Sequence, residues 1–321
     1  MIEVIYKSPT KSNVAKVSVV CPMFNVDEYV GKFIESVKIS NEYSQYFEFL
    51  FIDDRSIDKS CEVVLSRLHK LESLGVDVIV IRSDTNVGSG EIRSTAVTYS
   101  TGEWIYFYDT DDVPDDDLFN MMYEASLRQV DIVLGTLVPI GVTFEDSGQP
   151  TKILNIQRNV STIPFASGPG GNMMIRRGLF NLIGGYDPMF SNTKYFGRRV
   201  PEDTDLIWRA QIAGGRVELL DEAKSFYTVP FDYRQVFYKQ FVYGVQMALH
   251  NVRYQKFGKT TDNCLLSLLK VILLALTSPF WWFKSKGRNK YVGSVSRNLG
   301  HFVTSIYIAL RFINVVPLEP S

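Results

Sequence analysis

Trp104-Ile-Tyr-Phe-Tyr-Asp-Thr-Asp-Asp112 is the stretch that decides the fold class. Five apolar or aromatic residues in succession, all good β-formers, describe a strand buried on both faces, as in a parallel sheet covered by helices. The run ends in Asp109, Asp111 and Asp112. In open α/β sheets ligands bind beyond the carboxyl ends of the strands, which is where these acids fall. Carboxylates this close repel one another and call for a cation. Asp109 and Asp111 share a face if the strand continues. A hard divalent ion, Mg²⁺ or Mn²⁺, held by one or two carboxylates with phosphate oxygens and water, suits such a pair.

The same grammar recurs on either side. Val17 to Pro22 reads as a strand ended by proline, and Asn25 and Asp27 can cap a helix from Glu28 to Ser40. Phe47 to Asp54 is a second strand ending in a carboxylate pair, Asp53 and Asp54. Val64, Leu65, Leu68 and Leu71 have helical spacing within Asp58 to Leu74. A strand over Val76 to Ile81, a turn over Asn86 to Gly90 and a short helix over Glu91 to Tyr99 follow. Beyond the central strand come a helix over Leu118 to Arg128 and a strand over Ile132 to Val138. This alternation implies βαβ crossovers and a mostly parallel, Rossmann-like central sheet of the α/β class. Then it fades. Gly168-Pro-Gly-Gly171 and Gly184-Gly-Tyr-Asp187 are turns, and Pro201 to Ala213 is a helix with Glu202, Asp203 and Asp205 in its first turns, favourable for the helix dipole.

Taken in order, these pieces resemble the inverting family 2 glycosyltransferases of the GT-A fold. Val17-Ser-Val-Val-Cys-Pro-Met-Phe-Asn25 is similar to the family's first strand and Phe-Asn turn, bringing in Pro22, Phe24 and Asn25. Ile52-Asp-Asp-Arg-Ser-Ile-Asp58 resembles the nucleotide loop, although Arg55 stands where the pattern most often has glycine. Asn86-Val-Gly88 with Ile92-Arg93 resembles "NxGxxxxR", Asp109-Thr-Asp-Asp112 the DxD metal motif, and Arg176-Arg177…Gly184-Gly-Tyr-Asp187 the "R…GGFD" element. Glu202-Asp203 resembles the acidic pair that carries the base. The resemblance implies roles. Asp53 and Asp54 accept hydrogen bonds from a uracil imide, with Pro22, Phe24, Asn25 and Gly88 in the nucleotide site. Arg93 braces the pyrophosphate or the carboxylates, Asp109 faces the ribose or sugar, and Asp111 with Asp109 ligates the metal. Asp203 takes the acceptor's proton, assisted by Glu202. The donor is a nucleoside diphosphate sugar, a UDP-sugar first, and the acceptor a hydroxyl of a glycan or lipid-linked glycan in surface polysaccharide or glycolipid synthesis.

Charge is unevenly spread. Residues 231–311 hold 12 Lys/Arg against two Asp, a net of +10, while the rest of the chain carries −11. Such asymmetry points to nucleic acid or an anionic membrane surface. The basic residues Lys284, Lys286, Arg288, Lys290 and Arg297 lie between two apolar stretches, Cys264 to Phe283 and Leu299 to Val316, beside Trp281 and Trp282. That favours a membrane surface over nucleic acid. A spanning hairpin would put the basic loop outside, against the positive-inside rule, so helices lying in the cytosolic membrane face are expected first and helices packed on the catalytic domain second. The expected division is a catalytic domain over 1–230 and a helical, membrane-associating extension over 231–321.

Cys21, Cys61 and Cys264 form no metal-binding or disulfide pattern, which suits a reduced, cytosolic setting, and Met1 to Lys16 has no apolar signal-like core. His69, His250 and His301 are isolated, so nucleophilic catalysis through a Ser-His-Asp order is not expected. Two rivals exist. Asp109-Thr-Asp-Asp-Val113 also fits the "DxDx[TV]" of haloacid dehalogenase phosphatases, but there the further acid pair should follow the nucleophile, and Asp53-Asp54 precedes it. A catalytically silent sugar-nucleotide or membrane-binding scaffold would not need acids at every motif.

Overall fold

The computed structural model describes residues 1–9, 15–140, 168–191, 194–195, 198–199, 202–228, 233–255, 269, 272 and 288–309. The strands of the main sheet are β1 (Ile2–Lys7), β2 (Val17–Met23), β3 (Phe47–Asp53), β4 (Asp77–Ser83), β5 (Trp104–Tyr108), β6 (Val113–Pro114), β7 (Ile132–Ile140), β8 (Asn172–Arg176) and, after a small hairpin of β9 (Lys194–Tyr195) and β10 (Arg198–Arg199), β11 (Val217–Thr228). Their order is β1-β4-β3-β2-β5-β8-β7-β11-β6. Strands β4, β3, β2 and β5 pair in parallel, as do β7 and β11. The mixed, mostly parallel α/β sheet expected from the alternation is therefore present.

The strand that anchored the sequence reading is fully buried, and its side chains alternate. Trp104, Tyr106 and Tyr108 join one core with Phe33, Phe49, Phe51 and Phe119. Ile105 and Phe107 join the opposite core with Ile92, Phe180, Tyr186, Leu206 and Trp208. The first core is roofed by helices α1 (Asp27–Ser36), α3 (Ser60–Leu74) and α5 (Leu118–Ser126), with the short α2 (Asn41–Ser44) beside them. The second is roofed by α4 (Ser89–Val97), α6 (Arg177–Leu182) and α8 (Asp203–Ile212), with α7 (Pro188–Ser191) between the last two in sequence. Burying each large apolar side chain contributes about 1.5–3 kcal/mol, so a strand apolar on both faces can only sit in the middle of such a sandwich.

Three features differ from the sequence reading. Strand β2 runs through Pro22 to Met23. Its ladder to β5 ends at Val20, so the N–H that Pro22 lacks is not needed there. Strand β8, read only as an apolar run after a turn, wedges antiparallel between β5 and β7. It begins with buried Asn172, which accepts from the Tyr106 hydroxyl at 2.7 Å and donates to Ala223 O at 3.0 Å, tying three strands together. Strands β1 and β11, with mixed exposure and no clean alternation, gave no sequence signal.

Helices α9 (Tyr233–Arg253) and α10 (Arg288–Ala309) come from the basic region. They pack closely because glycine meets backbone: a Cβ on Gly244 would strike the Arg297 carbonyl, and one on Gly300 the Phe241 carbonyl. Helix α9 also docks on the α/β body. Val245 and Leu249 pack on Phe190, Arg253 pairs with Asp187 at 2.6 Å, and Tyr254 donates to buried Asp205 at 2.5 Å. Helix α9, beyond the expected boundary at 230, thus packs against residues before it. Among the described residues no helix is long and apolar enough to cross a membrane. Trp281, Trp282, Lys284, Lys286 and most of the first apolar stretch lie outside the described residues.

Candidate active site

Two loops at the carboxyl ends of β2 and β3 are laced together. Asp54 N–H bonds Met23 O at 2.8 Å, Asn25 N–H donates to Ser56 Oγ at 3.0 Å, and Asn25 Oδ1 accepts from Ile57 N–H at 3.0 Å. Asn25 and Arg55 both hold positive φ, 55° and 62°. The second value supplies a physical reason for glycine at the Arg55 position. A non-glycine residue costs roughly 1–2 kcal/mol there, offset in part by the roughly 0.5–1 kcal/mol entropic cost of glycine. Arg55→Gly should therefore stabilise the fold by about 0.5 kcal/mol in denaturant titration. A loss instead would mean the Arg55 side chain holds the loop in place.

The carboxylates at these ends divide by role. Asp54 lines a cavity of about 440 Å³. Its oxygens accept from Val87 N–H at 2.7 Å, Gly88 N–H at 2.8 Å and Asn86 Nδ2 at 3.0 Å, so it fixes the loop that opens α4. Asp53, expected beside it at the nucleotide, is instead fully buried and absent from the cavity wall. It accepts from Ser56 N–H at 3.0 Å and pairs with Arg82 at 3.2 Å. Consecutive strand residues point to opposite faces, so only one of the pair can look into the cavity.

Arg93, on α4 and 4% exposed, is the hub. It reaches Asp109 at 2.5 Å, Glu202 at 3.2 Å and Asp203 at 3.5 Å, joining strand β5 to the start of α8. Burial works against its charge, but Asp109, Asp203 and Glu202 outweigh it and hold its pKa above the ordinary value. Tyr186 backs the guanidinium at 5.9 Å, and Gly184 and Gly185 make the turn before it with φ of 76° and 69°. The double glycine thus has a backbone reason, and Asp187 beyond it anchors α9. Arg176 and Arg177 do not enter the site. They bind carbonyls of residues 130, 97 and 102.

Glu202 is held by the Ser89 hydroxyl at 2.6 Å as well as by Arg93. Burial and its neighbour Asp203 raise its pKa to about 7, against Arg93 and Ser89. Asp203 is raised too, first by burial, then by Asp109 over the opposing Arg93. Its Oδ1 accepts no hydrogen bond among the described residues. That oxygen is buried and faces Arg93 at 3.5 Å, so of the acidic pair Glu202 is the more firmly hydrogen-bonded and Asp203 the less.

Asp109 and Asp203 also line a second cavity, of about 720 Å³, with Asp111 and Asp112. Lys239, Tyr243 and Gln246 of α9 line it too, together with Tyr227 and Thr228. Their spacing puts them on one face of the helix. Sequence reading missed them because they fall in the segment taken as a tail; that helical spacing beside the acids' charge deficit was the available signal. The Gly170-Gly171 turn has its reason here as well. A Cβ on Gly170 would strike the Asp203 carboxylate, and one on Gly171 that of Asp109.

The acids crowd. Poor hydration in the cleft and then Asp109 raise Asp111, while burial, Asp109 and Asp111 push buried Asp112 to about 8, with Lys239 opposing both. Among the described residues no group of three His, Cys, Asp or Glu side chains could hold a metal on protein ligands alone. The fit is to an ion of the Mg²⁺ or Mn²⁺ kind, for which Asp109 and Asp111 supply carboxylates and a substrate supplies phosphate oxygens. His250 is far from this chemistry, in ring contact with Phe190 and Trp208 at 5.0 Å each.

The profile described as glycosyl transferase family 2 matches residues 18–184, over half of the chain. The chain belongs to glycosyl transferase family 2. Among relatives of this family member, the poly(ribitol-phosphate) beta-glucosyltransferase of Bacillus spizizenii is 28% identical over 123 residues, 38% of this chain and 19% of that protein. The poly(ribitol-phosphate) beta-N-acetylglucosaminyltransferase TarS of Staphylococcus aureus is 30% identical over 98 residues, 30% of this chain and 16% of that protein. The chain therefore matches less than a fifth of either relative's length. Among solved structures, the mannosyltransferase PcManGT of Pyrobaculum calidifontis, in complex with GDP-Man and Mn²⁺, superposes with TM-score 0.64 at 13% identity, covering 92% of this chain and 88% of its own. TarS residues 1–349 with UDP-GlcNAc give TM-score 0.51 at 16% identity, covering 92% of both chains. These likenesses show the shared GT-A fold. The haloacid dehalogenase reading finds no support in them.

Proposed function

We propose that this family 2 member transfers a sugar, with inversion, from a nucleoside diphosphate sugar to a hydroxyl of a glycan or lipid-linked glycan. One observation carries the reading: Asp109 and Asp203 line both cavities, bridged by Arg93. The smaller cavity takes the nucleotide, with Pro22 and Phe24 on its wall and Asp54 beside the base; Asn25, next in the chain, ties the two loops together. The larger takes the diphosphate at its acidic end, by Asp109 and Asp111, and the acceptor beside it. The Asp203 carboxylate accepts the proton of the acceptor hydroxyl, whose oxygen attacks the anomeric carbon opposite the diphosphate. The anomeric C–O bond breaks and its electron pair leaves with the diphosphate, so the configuration inverts. When bound at Asp109 and Asp111, Mg²⁺ or Mn²⁺ supplies positive charge to the diphosphate. Structures of fold relatives holding UDP-GlcNAc, or GDP-Man and Mn²⁺, support such a donor. Relatives named for poly(ribitol-phosphate) support a glycan polymer as acceptor.

UDP- and GDP-sugars should be screened for Mn²⁺-dependent thermal stabilisation. The expected result is stabilisation by at least one sugar nucleotide, lost in Asp111→Ala. No stabilisation by any of them, or full stabilisation of Asp111→Ala, would remove the reading.

The basic region fits the cytosolic face of the cell membrane, held peripherally. Near an anionic leaflet each Lys or Arg contributes about 1 kcal/mol. Replacing Lys284, Lys286, Arg288 and Lys290 by Gln should weaken sedimentation with anionic vesicles more than with neutral ones, and more at low salt. Equal binding of both proteins to both vesicle types would sink this part.

A further inference from the structure

Lys239 is a cation that the family's acidic motifs do not account for. It sits on α9, one helical turn from Tyr243, and lines the larger cavity. The same cavity is lined by Asp109, Asp111, Asp112 and Asp203, and Arg93, the cation of the smaller cavity, is committed to Asp109, Glu202 and Asp203. Lys239 is exposed at the cleft, so its stem can swing. The helix that carries it cannot swing as easily. Tyr254 donates to Asp205 at 2.5 Å, Arg209 holds the other Asp205 oxygen at 2.7 Å, and Arg253 pairs with Asp187 at 2.6 Å. Asp205 is fully buried, so slipping α9 along α8 would leave a buried carboxylate short of partners.

We propose that Lys239 is a diphosphate-binding residue that stands in for the metal's charge when the site is empty and binds the donor's diphosphate when the metal is present. The proposal rests on the donor reading above. Without a ligand, the lysine shares the cavity lining with Asp111 and Asp112 and offsets part of their crowded negative charge. A divalent ion at Asp109 and Asp111 takes over that neutralisation and repels the ammonium. The ammonium then has an anion to meet only if a diphosphate has entered with the metal. As a compact point charge on a flexible stem with three donors, lysine suits this exchange better than a fixed fork.

The two roles pull in opposite directions on removal, which gives the test. Lys239→Gln and Lys239→Arg are compared with wild type, using Mn²⁺ alone, followed as free Mn²⁺ by electron paramagnetic resonance, and UDP at saturating Mn²⁺, followed by calorimetry. Lys239→Gln should bind Mn²⁺ alone more tightly, yet bind UDP with Mn²⁺ about fivefold more weakly, the scale of one exposed charge contact. Lys239→Arg, which keeps the charge, should recover most of the UDP affinity. A merely structural lysine would move both affinities the same way. UDP binding in Lys239→Gln equal to wild type, or Mn²⁺ and UDP affinities both falling, would overturn the proposal while leaving the donor reading intact. Wild type that binds no UDP with Mn²⁺ would overturn both.

Discussion

Replacing Arg93 by methionine should cost the fold about 3–5 kcal/mol near pH 8, because removing one partner of a buried ion cluster leaves uncompensated buried charge. Native proteins have roughly 5–15 kcal/mol in all, so this would be among the most damaging single substitutions the chain can suffer. Arg93 is the cation that holds Asp109, Glu202 and Asp203 together. The loss should depend on pH, and its sign is fixed. Glu202 is raised from 4.5 to about 7, and Asp203 is raised as well. A carboxyl raised in the folded state binds its proton more tightly there, so folding gains as pH falls from that raised value toward the ordinary one. Arg93 lowers both groups. Without it they rise further, and the variant should recover part of the difference as pH falls from about 8 to about 5. Urea titrations at both pH values measure this. A difference below about 1 kcal/mol at pH 8, on the scale of a surface pair, would mean that the cluster is hydrated and that Arg93 is not its keystone.

Asp203→Asn should lower kcat by roughly 10²–10⁴-fold while UDP affinity with Mn²⁺ stays within about twofold, because the change removes the proton acceptor and keeps the shape. The base must be ionised, so the wild-type rate should rise with pH through the region of the coupled Glu202–Asp203 pair, and the apparent pKa belongs to the pair. Asp203 raises Glu202, so Glu202→Gln uncouples the pair and the acid limb should then report Asp203 alone. The substitution keeps an oxygen for the Ser89 hydroxyl, so α8 should stay in place. Steady-state profiles of the three proteins decide the matter. Normal kcat in Asp203→Asn with weakened donor binding would put the base elsewhere.

Much of the first half of the fold was legible because strand period, helix period and turn residues agree there. Strand β5 shows it best, since its burial on both faces is written in five consecutive large side chains. Strand β8 was hidden because its position depends on Asn172 reaching three other strands, which no local pattern encodes. At the site, Asp109, Asp203, Glu202 and Arg93 could be named from order and spacing, yet their meeting depends on a contact between residues 109 positions apart. The split between Asp53 and Asp54 follows from strand alternation and was available beforehand. The α9 lining of the larger cavity was not: Lys239, Tyr243 and Gln246 carry no motif, and the charge excess around them pointed toward a membrane rather than toward the cleft.

The central claim is that Asp203 activates an acceptor oxygen for single displacement at the anomeric carbon of a nucleotide sugar. Its most direct test is proton NMR of the sugar first released when water replaces the acceptor, using whichever α-linked UDP- or GDP-sugar stabilises the protein with Mn²⁺. The β-anomer should appear first, ahead of mutarotation, and Asp203→Asn should slow its appearance by roughly 10²-fold or more. The α-anomer appearing first, or an undiminished rate in Asp203→Asn, would contradict the account.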